Sequence, residues 1–306
     1  MTALAYAGCA LIWGTTWFAI RVCIGPGGYP TFAGAAIRFV VAVAILGALA
    51  ALGLAGRGPA TWRQRGWVAA AGVLCGLAYA LVYAGETRIS GGVAAVIFGT
   101  LPLVTAVSTL LAGIERPSPA FVAGSGMALA GIAVIYADRM GSSSNQATGV
   151  VLVFGSVCIT AIYNLILKLH ASGTNPLASN LPFLGAAAVT LATFALTSER
   201  RAPPWPPALP PTLALLYLAT FGSVAAFALY FYLLRHMSLT AVSTLLFVEP
   251  VLALLIDAIW EREIHLGLRA YAGAALTLVG VAITLASRRG GSEPTPPTRL
   301  AGSRPA

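Results

Sequence analysis

The chain has 306 residues, of which 58% are apolar and only 9% are charged, and its mean hydropathy is +0.86. A soluble domain carries about 25% charged residues, so the composition excludes an ordinary water-soluble protein and indicates one that lies in lipid. The net charge of +9 comes from Lys and Arg placed mostly at the ends of apolar segments, which is typical of topology signals and argues against nucleic-acid binding.

Ten apolar runs are predicted to be transmembrane helices, because a hydrocarbon core of about 30 Å requires about 20 helical residues. Helix is favoured over strand because the runs show no strict alternation of polar and apolar residues. No small-residue cleavage site precedes a polar region, so the first run is interpreted as a retained helix and not as a signal peptide. The runs cover residues 3–23, 30–52, 66–85, 91–113, 119–137, 148–169, 176–197, 211–233, 239–260 and 268–286.

The connections between the runs are mostly short, and "IGPGGYP" after the first run is a clear turn signal. Two connections are longer, at 53–66 and 198–211, and the second is so rich in proline that we expect it not to be helical. The tail at 288–306 is predicted to be disordered. An even number of spans places both termini on one side, and the distribution of Lys and Arg favours the cytoplasm.

An internal repeat relates the two halves of the chain. A shift of 148 residues places Pro250 on Pro102 and Glu263 on Glu115. A unit with an odd number of spans ends on the opposite side of the membrane, so the second copy is predicted to be inverted, as in secondary transporters with a site near the midplane. The two glutamates themselves are interpreted as solvated caps of helix ends. The predicted units are a first five-helix repeat at 1–140 and a second, inverted one at 146–287.

Pro102 and Pro250 are the candidate hinges of the two repeats. Each proline removes a backbone donor and leaves the carbonyl four residues earlier, at Phe98 or Leu246, without its helical partner. In lipid such a carbonyl requires another partner. The functional interpretation is a hinged helix beside a cavity, and the alternative is a structural kink packed against a neighbouring helix.

Three charged residues fall inside predicted spans. Arg38 lies ~12 Å and Glu249 ~15 Å from the nearer end of its span, where a lone charge costs at least about 2.5–3.5 kcal/mol. Glu249 could titrate during transport, bind a substrate ammonium group or form a structural pair. For Arg38 we favour a structural role that ties down carbonyl groups. Asp257 lies near the end of its span and is a weaker candidate.

Aromatic and polar residues mark the faces of a predicted cavity. The stretch "WGTTWF" in the first span aligns with "TAIYNL" in the sixth, and aromatic pairs spaced by four residues share one helix face. For many single residues the alternative is interfacial anchoring or ordinary packing. The predicted cavity-lining residues are Trp13, Trp17, Tyr79, Tyr83, Phe98, Tyr163, Asn164, Phe227, Leu246 and Glu249.

Residues that could catalyse reactions or bind metals are scattered. The four cysteines form no CxxC pair and are predicted to be small buried hydrophobes, and the three histidines are far apart. No Walker, HExxH or nucleophile-elbow pattern occurs. We therefore expect no catalytic residue, no metal and no cofactor.

Several motifs occur in a repeated order: "LIWGTTWFAIR" in the first span, "AIRF" in the second, and a proline and a glutamate followed by the glycine-rich helices "GSGMALAGIAVI" and "GAALTLVGVAI". Their order and repetition resemble the EamA type of the drug/metabolite transporter superfamily. The similarity covers about residues 3–287. It implies an inner-membrane carrier, usually an exporter of amino acids, other metabolites or drugs. It also implies a cavity lined mainly by helices 1, 3, 4, 6, 8 and 9, with helices 5 and 10 peripheral. Many relatives carry Asn or Lys close after the Trp-Gly, where this chain has "TTWF".

The leading functional hypothesis is a carrier that moves small metabolites such as amino acids, or amphipathic drugs, by alternating access. Its expected partners are a small-molecule substrate and the lipid bilayer, and no nucleic acid. Coupling to a proton or to an exchanged solute is left open, and so is a homodimer. The alternatives are a membrane-embedded enzyme and a channel or regulatory membrane subunit.

Overall fold

All regular structure in the described part of the chain is helical. The computed structural model describes residues 1–54, 56, 58–59, 61–89, 94, 97–136, 144–171, 174–199, 208–249, 251–252 and 268–286, with the backbone alone at 135, 136, 144 and 270. No strand occurs in these ranges. The prediction of an all-helical membrane protein is therefore confirmed for the described residues.

Ten helices of five residues or more occur in the described residues, and six of them are long and apolar enough to cross a bilayer. The other four, named below as α4, α5, α9 and α10, are shorter apolar helices within the described residues. The helices are α1 Thr2–Ile24, α2 Thr31–Ala51, α3 Trp62–Glu86, α4 Leu101–Leu111, α5 Pro119–Tyr136, α6 Ser144–His170, α7 Pro176–Ser198, α8 Leu209–His236, α9 Leu239–Glu249 and α10 Leu268–Ala286.

Two predicted connections are partly wrong because helices begin earlier than the apolar runs do. α3 starts at Trp62, inside the predicted loop at 53–66, since the Thr61 hydroxyl accepts a hydrogen bond from the Gln64 amide at 3.2 Å and caps a charged first turn. α8 starts at Leu209, and its prolines lie in the first turn, where a helix needs no amide donor. The charged residues at the start of α3 and the prolines at the start of α8 therefore led the sequence prediction to place these two helix starts in loops.

The fourth predicted run is interrupted near its proline. Ile97 and Phe98 are helical, Gly99 and Thr100 form a turn, and α4 then begins at Leu101. Pro102 thus lies in the first turn of a new helix, where a helix needs no amide donor. The equivalent Pro250, together with Asp257, Glu263 and the tail at 288–306, lies outside the described residues.

Carboxylates join helices that occupy corresponding places in the two halves. Glu199 at the end of α7 accepts hydrogen bonds from the amides of Phe32 and Ala33 at the start of α2, at 2.6 and 2.8 Å. Glu115, just after α4, accepts a hydrogen bond from the Leu239 amide at the start of α9, at 2.6 Å. Because the end of one helix meets the start of the other, α2 runs antiparallel to α7 and α4 runs antiparallel to α9.

The fifth and tenth helices pack through glycines. A Cβ atom added to Gly131 of α5 would lie 2.6 Å from the Gly273 carbonyl oxygen of α10, and one added to Gly280 would lie 2.4 Å from the Ala128 amide nitrogen. Only glycine permits such close approach of two backbones, as is common between membrane helices. This antiparallel pair shares a small core with Phe247 of α9, whereas the main core is formed by α1, α2, α3, α6, α7 and α8 with residues of α4 and α9.

Gly131→Ala should destabilise the α5–α10 contact. The new methyl group would lie 2.5 Å from the Thr277 hydroxyl oxygen, so the helices must separate, and we expect the free energy of unfolding to fall by about 1–3 kcal/mol. Thermal unfolding in detergent measures the effect. Gly126→Ala on the same helix is the matched control, because nothing lies within 4 Å of the added atom. Equal melting temperatures for the two variants would contradict this account of the packing.

Candidate functional site

A buried cavity of about 90 Å³ lies where most of the helices converge. All ten predicted cavity-lining residues and Arg38 lie around it. They come from α1, α3, α6, α8 and α9 and from the region around the start of α4, as the resemblance implies, and from α2 through Arg38. The lining residues are Trp13, Thr16, Trp17, Ile20, Arg38, Ala78, Tyr79, Val82, Tyr83, Phe98, Leu101, Ser156, Thr160, Tyr163, Asn164, Phe227, Tyr230, Leu246 and Glu249.

Aromatic rings from five helical segments form much of the cavity wall. Trp13 lies edge-on to Phe227 with ring centroids 5.5 Å apart, and its ring centroid is 5.2 Å from that of Tyr230. Trp17, one turn further along α1, lies edge-on to Phe98 at 5.8 Å. These contacts hold the two tryptophans on one helix face, so the cavity presents a rigid apolar surface to whatever occupies it.

Glu249 places a carboxylate in this aromatic wall. It is the last described residue of α9 and is only 4% exposed. Its Oε2 atom accepts a hydrogen bond from the Trp17 indole nitrogen at 3.3 Å, and its Oε1 atom has no hydrogen-bond partner among the described residues. The neighbouring indole orients the carboxylate, and the second oxygen stays available to bind another group.

Arg38 is anchored on α8 and is only 1% exposed. Its Nε atom donates to the Ser223 hydroxyl at 2.9 Å, and its Nη2 atom donates to the Gly222 carbonyl at 3.1 Å. Its guanidinium group also lies 5.3 and 5.4 Å from the ring centroids of Phe39 and Tyr79. Since Nη1 has no partner among the described residues, the side chain combines a structural anchor with one free donor.

A π-helical turn in α8 makes this anchor possible. Residues Thr220–Ala225 are wound more widely than an α-helix, and such turns leave carbonyl groups available for side chains and often occur at functional sites. The Gly222 carbonyl accepts from Arg38 and also from the Trp13 indole nitrogen at 3.4 Å. A Cβ atom on Gly222 would lie 3.1 Å from the Arg38 guanidinium, so a glycine fits this position best.

Unpaired polar atoms concentrate at the cavity. Eight buried side-chain atoms of the described residues have no hydrogen-bond partner, and four of them belong to cavity residues. These four are Arg38 Nη1, Asn164 Oδ1, Tyr230 Oη and Glu249 Oε1. Buried polar groups almost always have partners, and an orphaned one costs about 1–3 kcal/mol. The cavity is therefore built to receive polar groups from water or from a bound solute.

Sequence reasoning did not assign eight of the lining residues to the cavity. Several lie one helical turn from predicted ones, as Tyr230 does from Phe227, Ile20 from Trp17 and Thr160 from Asn164. Extending each predicted face by three or four positions would have found them. The unassigned residues are Thr16, Ile20, Ala78, Val82, Leu101, Ser156, Thr160 and Tyr230.

Polar contacts join the helices on the side of the molecule where the chain begins, called here the amino-terminal side. The Tyr6 hydroxyl hydrogen-bonds the Thr244 hydroxyl at 2.8 Å. Lys168, near the end of α6, donates to the carbonyls of Leu234 and Met237 at the end of α8, at 2.6 and 2.5 Å. Glu115 caps the start of α9, so it is not the solvated end cap that the sequence indicated. Together these contacts form the amino-terminal seal.

Apolar helices around a cavity with orphaned polar groups provide what a membrane transporter requires. The profile of the EamA-like transporter family matches residues 1–137 and 147–286, and the chain therefore belongs to that family. The family predicted from the sequence motifs is thus confirmed.

Several proteins of known sequence or structure are similar to the chain. It is 31% identical over 251 residues to the uncharacterized inner membrane transporter YedA of Escherichia coli strain K12, covering 80% of this chain and 78% of YedA. It is 25% identical over 288 residues to PagO of Salmonella typhimurium, covering 91% and 93% of the two chains. One crystal structure matches with a TM-score of 0.76 over 95% of this chain and 99% of the other, at 22% identity. That last likeness supports the fold alone.

Glu115→Gln should weaken the amino-terminal seal. The neutral amide loses the charge-assisted cap of α9, which we expect to cost about 1–2 kcal/mol and to raise the open population about 5- to 30-fold. Cys9 is fully buried beside α8 and reports opening. In a variant whose other three cysteines are alanine, we expect N-ethylmaleimide to label Cys9 correspondingly faster.

Glu199→Gln is the matched control, because Glu199 caps α2 at the other end of the helices in the same way. It should leave the labelling rate of Cys9 unchanged. Equal labelling rates for Glu115→Gln and the parent protein would mean that this cap does not keep the seal closed.

Proposed function

We propose that the protein is a secondary transporter that exports small metabolites such as amino acids, or amphipathic drugs, across the cytoplasmic membrane by alternating access. Both termini would lie on the cytoplasmic side. The observation that carries the proposal is the convergence of four orphaned polar atoms on one aromatic-lined cavity. Since lipid offers no partners to these atoms, a cavity that exposes them in turn to water and to a solute accounts for their presence.

Equivalent hydrogen bonds support an inverted repeat. Cys9 of α1 donates to the Ala226 carbonyl of α8 at 3.7 Å, and Ser156 of α6 donates to the Ala78 carbonyl of α3 at 2.9 Å. Positions 9 and 156 are related by the 147-residue shift, and positions 78 and 226 by the 148-residue shift. The same contact is therefore made twice with the halves exchanged. The antiparallel pairing of α2 with α7, α4 with α9, and α5 with α10 agrees with that inversion.

The cavity itself lies across the boundary between the repeats. Most of its lining residues occur as pairs at corresponding positions, one from each half, so both repeats contribute equivalent walls. Rocking of one repeat against the other would then move both walls at once. The pairs are Trp13 and Thr160, Thr16 and Tyr163, Trp17 and Asn164, Tyr79 and Phe227, Val82 and Tyr230, Phe98 and Leu246, and Leu101 and Glu249.

The volume of the cavity implies that it must widen during transport. Its volume of about 90 Å³ is below the ~300–1,000 Å³ of typical small-molecule sites. The amino-terminal seal consists of a few hydrogen bonds, which can break and re-form at modest cost. We propose that this seal opens in the alternate state and that Pro102 and Pro250 permit the hinge motion of α4 and α9.

Transport itself is tested by screening uptake into reconstituted vesicles. The screen uses amino acids and cationic drugs, with and without a pH gradient. Accumulation of a solute that depends on the protein supports the carrier, and a gradient-dependent rate identifies proton coupling. Membranes whose permeability stays at the protein-free level for every class of solute would contradict the proposed function.

Glu249→Gln should impair transport while the protein still inserts. Glutamine keeps the size of the side chain and an acceptor for Trp17, but it loses the negative charge and the ability to take up a proton. We expect uptake to fall at least about tenfold, since a hydrogen bond to a charged group contributes about 1.5–3 kcal/mol. Any dependence of the rate on pH between about pH 5 and pH 8 should also disappear.

Glu199→Gln again serves as the control, because Glu199 binds backbone amides away from the cavity. Its uptake should match that of the parent protein. Unaltered uptake by Glu249→Gln across the whole pH range would remove Glu249 from the transport mechanism.

A further inference from the structure

Two buried groups of opposite charge line the cavity without neutralising each other. Arg38 directs its Nε and Nη2 atoms to Ser223 and Gly222, and Glu249 directs its Oε2 atom to Trp17. The remaining atoms, Arg38 Nη1 and Glu249 Oε1, are buried and have no hydrogen-bond partner among the described residues. The cavity therefore offers one unused cationic donor and one unused anionic acceptor.

The two side chains that carry the unused atoms are fixed near adjacent turns of α1 and line the same cavity. Arg38 and Trp13 share the Gly222 carbonyl, whereas Glu249 accepts from Trp17. Trp13 and Trp17 are one turn apart, which separates their backbones by ~6 Å along the helix. Because Arg38 and Glu249 line one cavity of about 90 Å³, a compact molecule inside it lies near both groups.

Neighbouring residues indicate which chemical groups a molecule in the cavity should have. Asn164 Oδ1 accepts hydrogen bonds and is unpaired, so it adds a second acceptor for an ammonium group. Tyr230 Oη, also unpaired, can donate to a carboxylate. The remaining wall is formed by rings and aliphatic side chains, which favour an apolar body.

A ligand with only one charge would leave a buried ion without a partner. A cation bound at Glu249 leaves Arg38 Nη1 orphaned, and an anion bound at Arg38 leaves Glu249 Oε1 orphaned. An uncompensated buried charge is strongly unfavourable, and sites discriminate most sharply when a missing group leaves their own polar atoms unpaired. A zwitterion satisfies both residues at once.

We propose that the cavity selects small zwitterions with an apolar body, whose carboxylate binds Arg38 and whose ammonium group binds Glu249. This inference rests on the proposed function and narrows it, because it excludes amphipathic cations as preferred substrates. It also makes Arg38 a specificity-determining residue in addition to a structural anchor.

Matched sets of ligands test the selectivity on the wild-type protein. Isothermal titration calorimetry in detergent would compare leucine with 3-methylbutylamine, which lacks the carboxylate, and with 4-methylpentanoate, which lacks the ammonium group. Phenylalanine, phenethylamine and 3-phenylpropionate form the aromatic set. In at least one set we expect the zwitterion to bind at least about tenfold more tightly than both partners. An amine or acid that binds as tightly as the zwitterion in both sets, or no binding in either, overturns the proposal.

Arg38→Gln tests whether Arg38 binds the carboxylate of the zwitterion. We expect this variant to bind the amines as the wild-type protein does and to lose the tenfold preference for the zwitterion. Arg38→Lys, which keeps the charge, should retain part of the preference and provides the comparison if the glutamine variant does not fold. If the folded variants keep the full wild-type preference for the zwitterion, Arg38 does not bind the carboxylate and its proposed role is overturned.

Binding and transport outcomes separate this inference from the proposed function. Selective binding of the zwitterion without uptake into vesicles would contradict the carrier and leave the selectivity of the cavity intact. Uptake of the amines as fast as the zwitterions would leave the carrier intact and overturn the selectivity.

Discussion

The requirement that every polar atom in the hydrocarbon core find a partner within the protein organises this structure. The described helices meet it at their ends with side chains from other helices: Glu199 caps α2, Glu115 caps α9, and Lys168 binds the last carbonyls of α8. The same requirement is left partly unmet around one cavity, where four polar atoms have no partner among the described residues. Half of the buried side-chain atoms that lack a hydrogen-bond partner in the described residues belong to this one cavity, where water or a solute can pair with them, and that grouping gives the cavity its functional meaning.

The position of Arg38 depends on the backbone of α8. The π-helical turn leaves the Gly222 carbonyl open to Arg38 and Trp13, and the Val224 carbonyl accepts from Asn180 at 3.2 Å. One short segment of irregular backbone thereby joins α1, α2 and α7 to α8. Because this segment fixes two of the three guanidinium nitrogens, the third has a defined direction. The structural and functional interpretations of Arg38 are therefore compatible, since the anchor orients the donor that the proposed substrate would bind.

The sequence predicted the helices and the cavity residues better than it predicted their ends. The predicted lining residues lie together because polar and aromatic residues are rare inside lipid-facing helices and because the repeat aligned them across the two halves. Helix ends were harder to predict, since Glu115 and Thr61 accept hydrogen bonds from particular backbone amides, which the periodicity of the sequence does not reveal. The π-helical turn has no signature in hydropathy, because it inserts one residue into an apolar run. Arg38 was found from its depth, but its partners required the tertiary structure.

In the proposed repeat the helices are related by symmetry, but the polar residues of the cavity are not. The second half contributes Asn164, Tyr230 and Glu249 to the cavity, whereas the corresponding positions of the first half hold Trp17, Val82 and Leu101. Equivalent helices can exchange roles between two conformations of similar packing energy, which alternating access requires. The charged groups do not exchange, because Arg38 has no charged counterpart in the second half and Glu249 has none in the first, so a solute would meet the same charges whichever side is open. In the proposed carrier, the inverted repeat would supply two states, and charged groups without symmetric counterparts would supply one specificity.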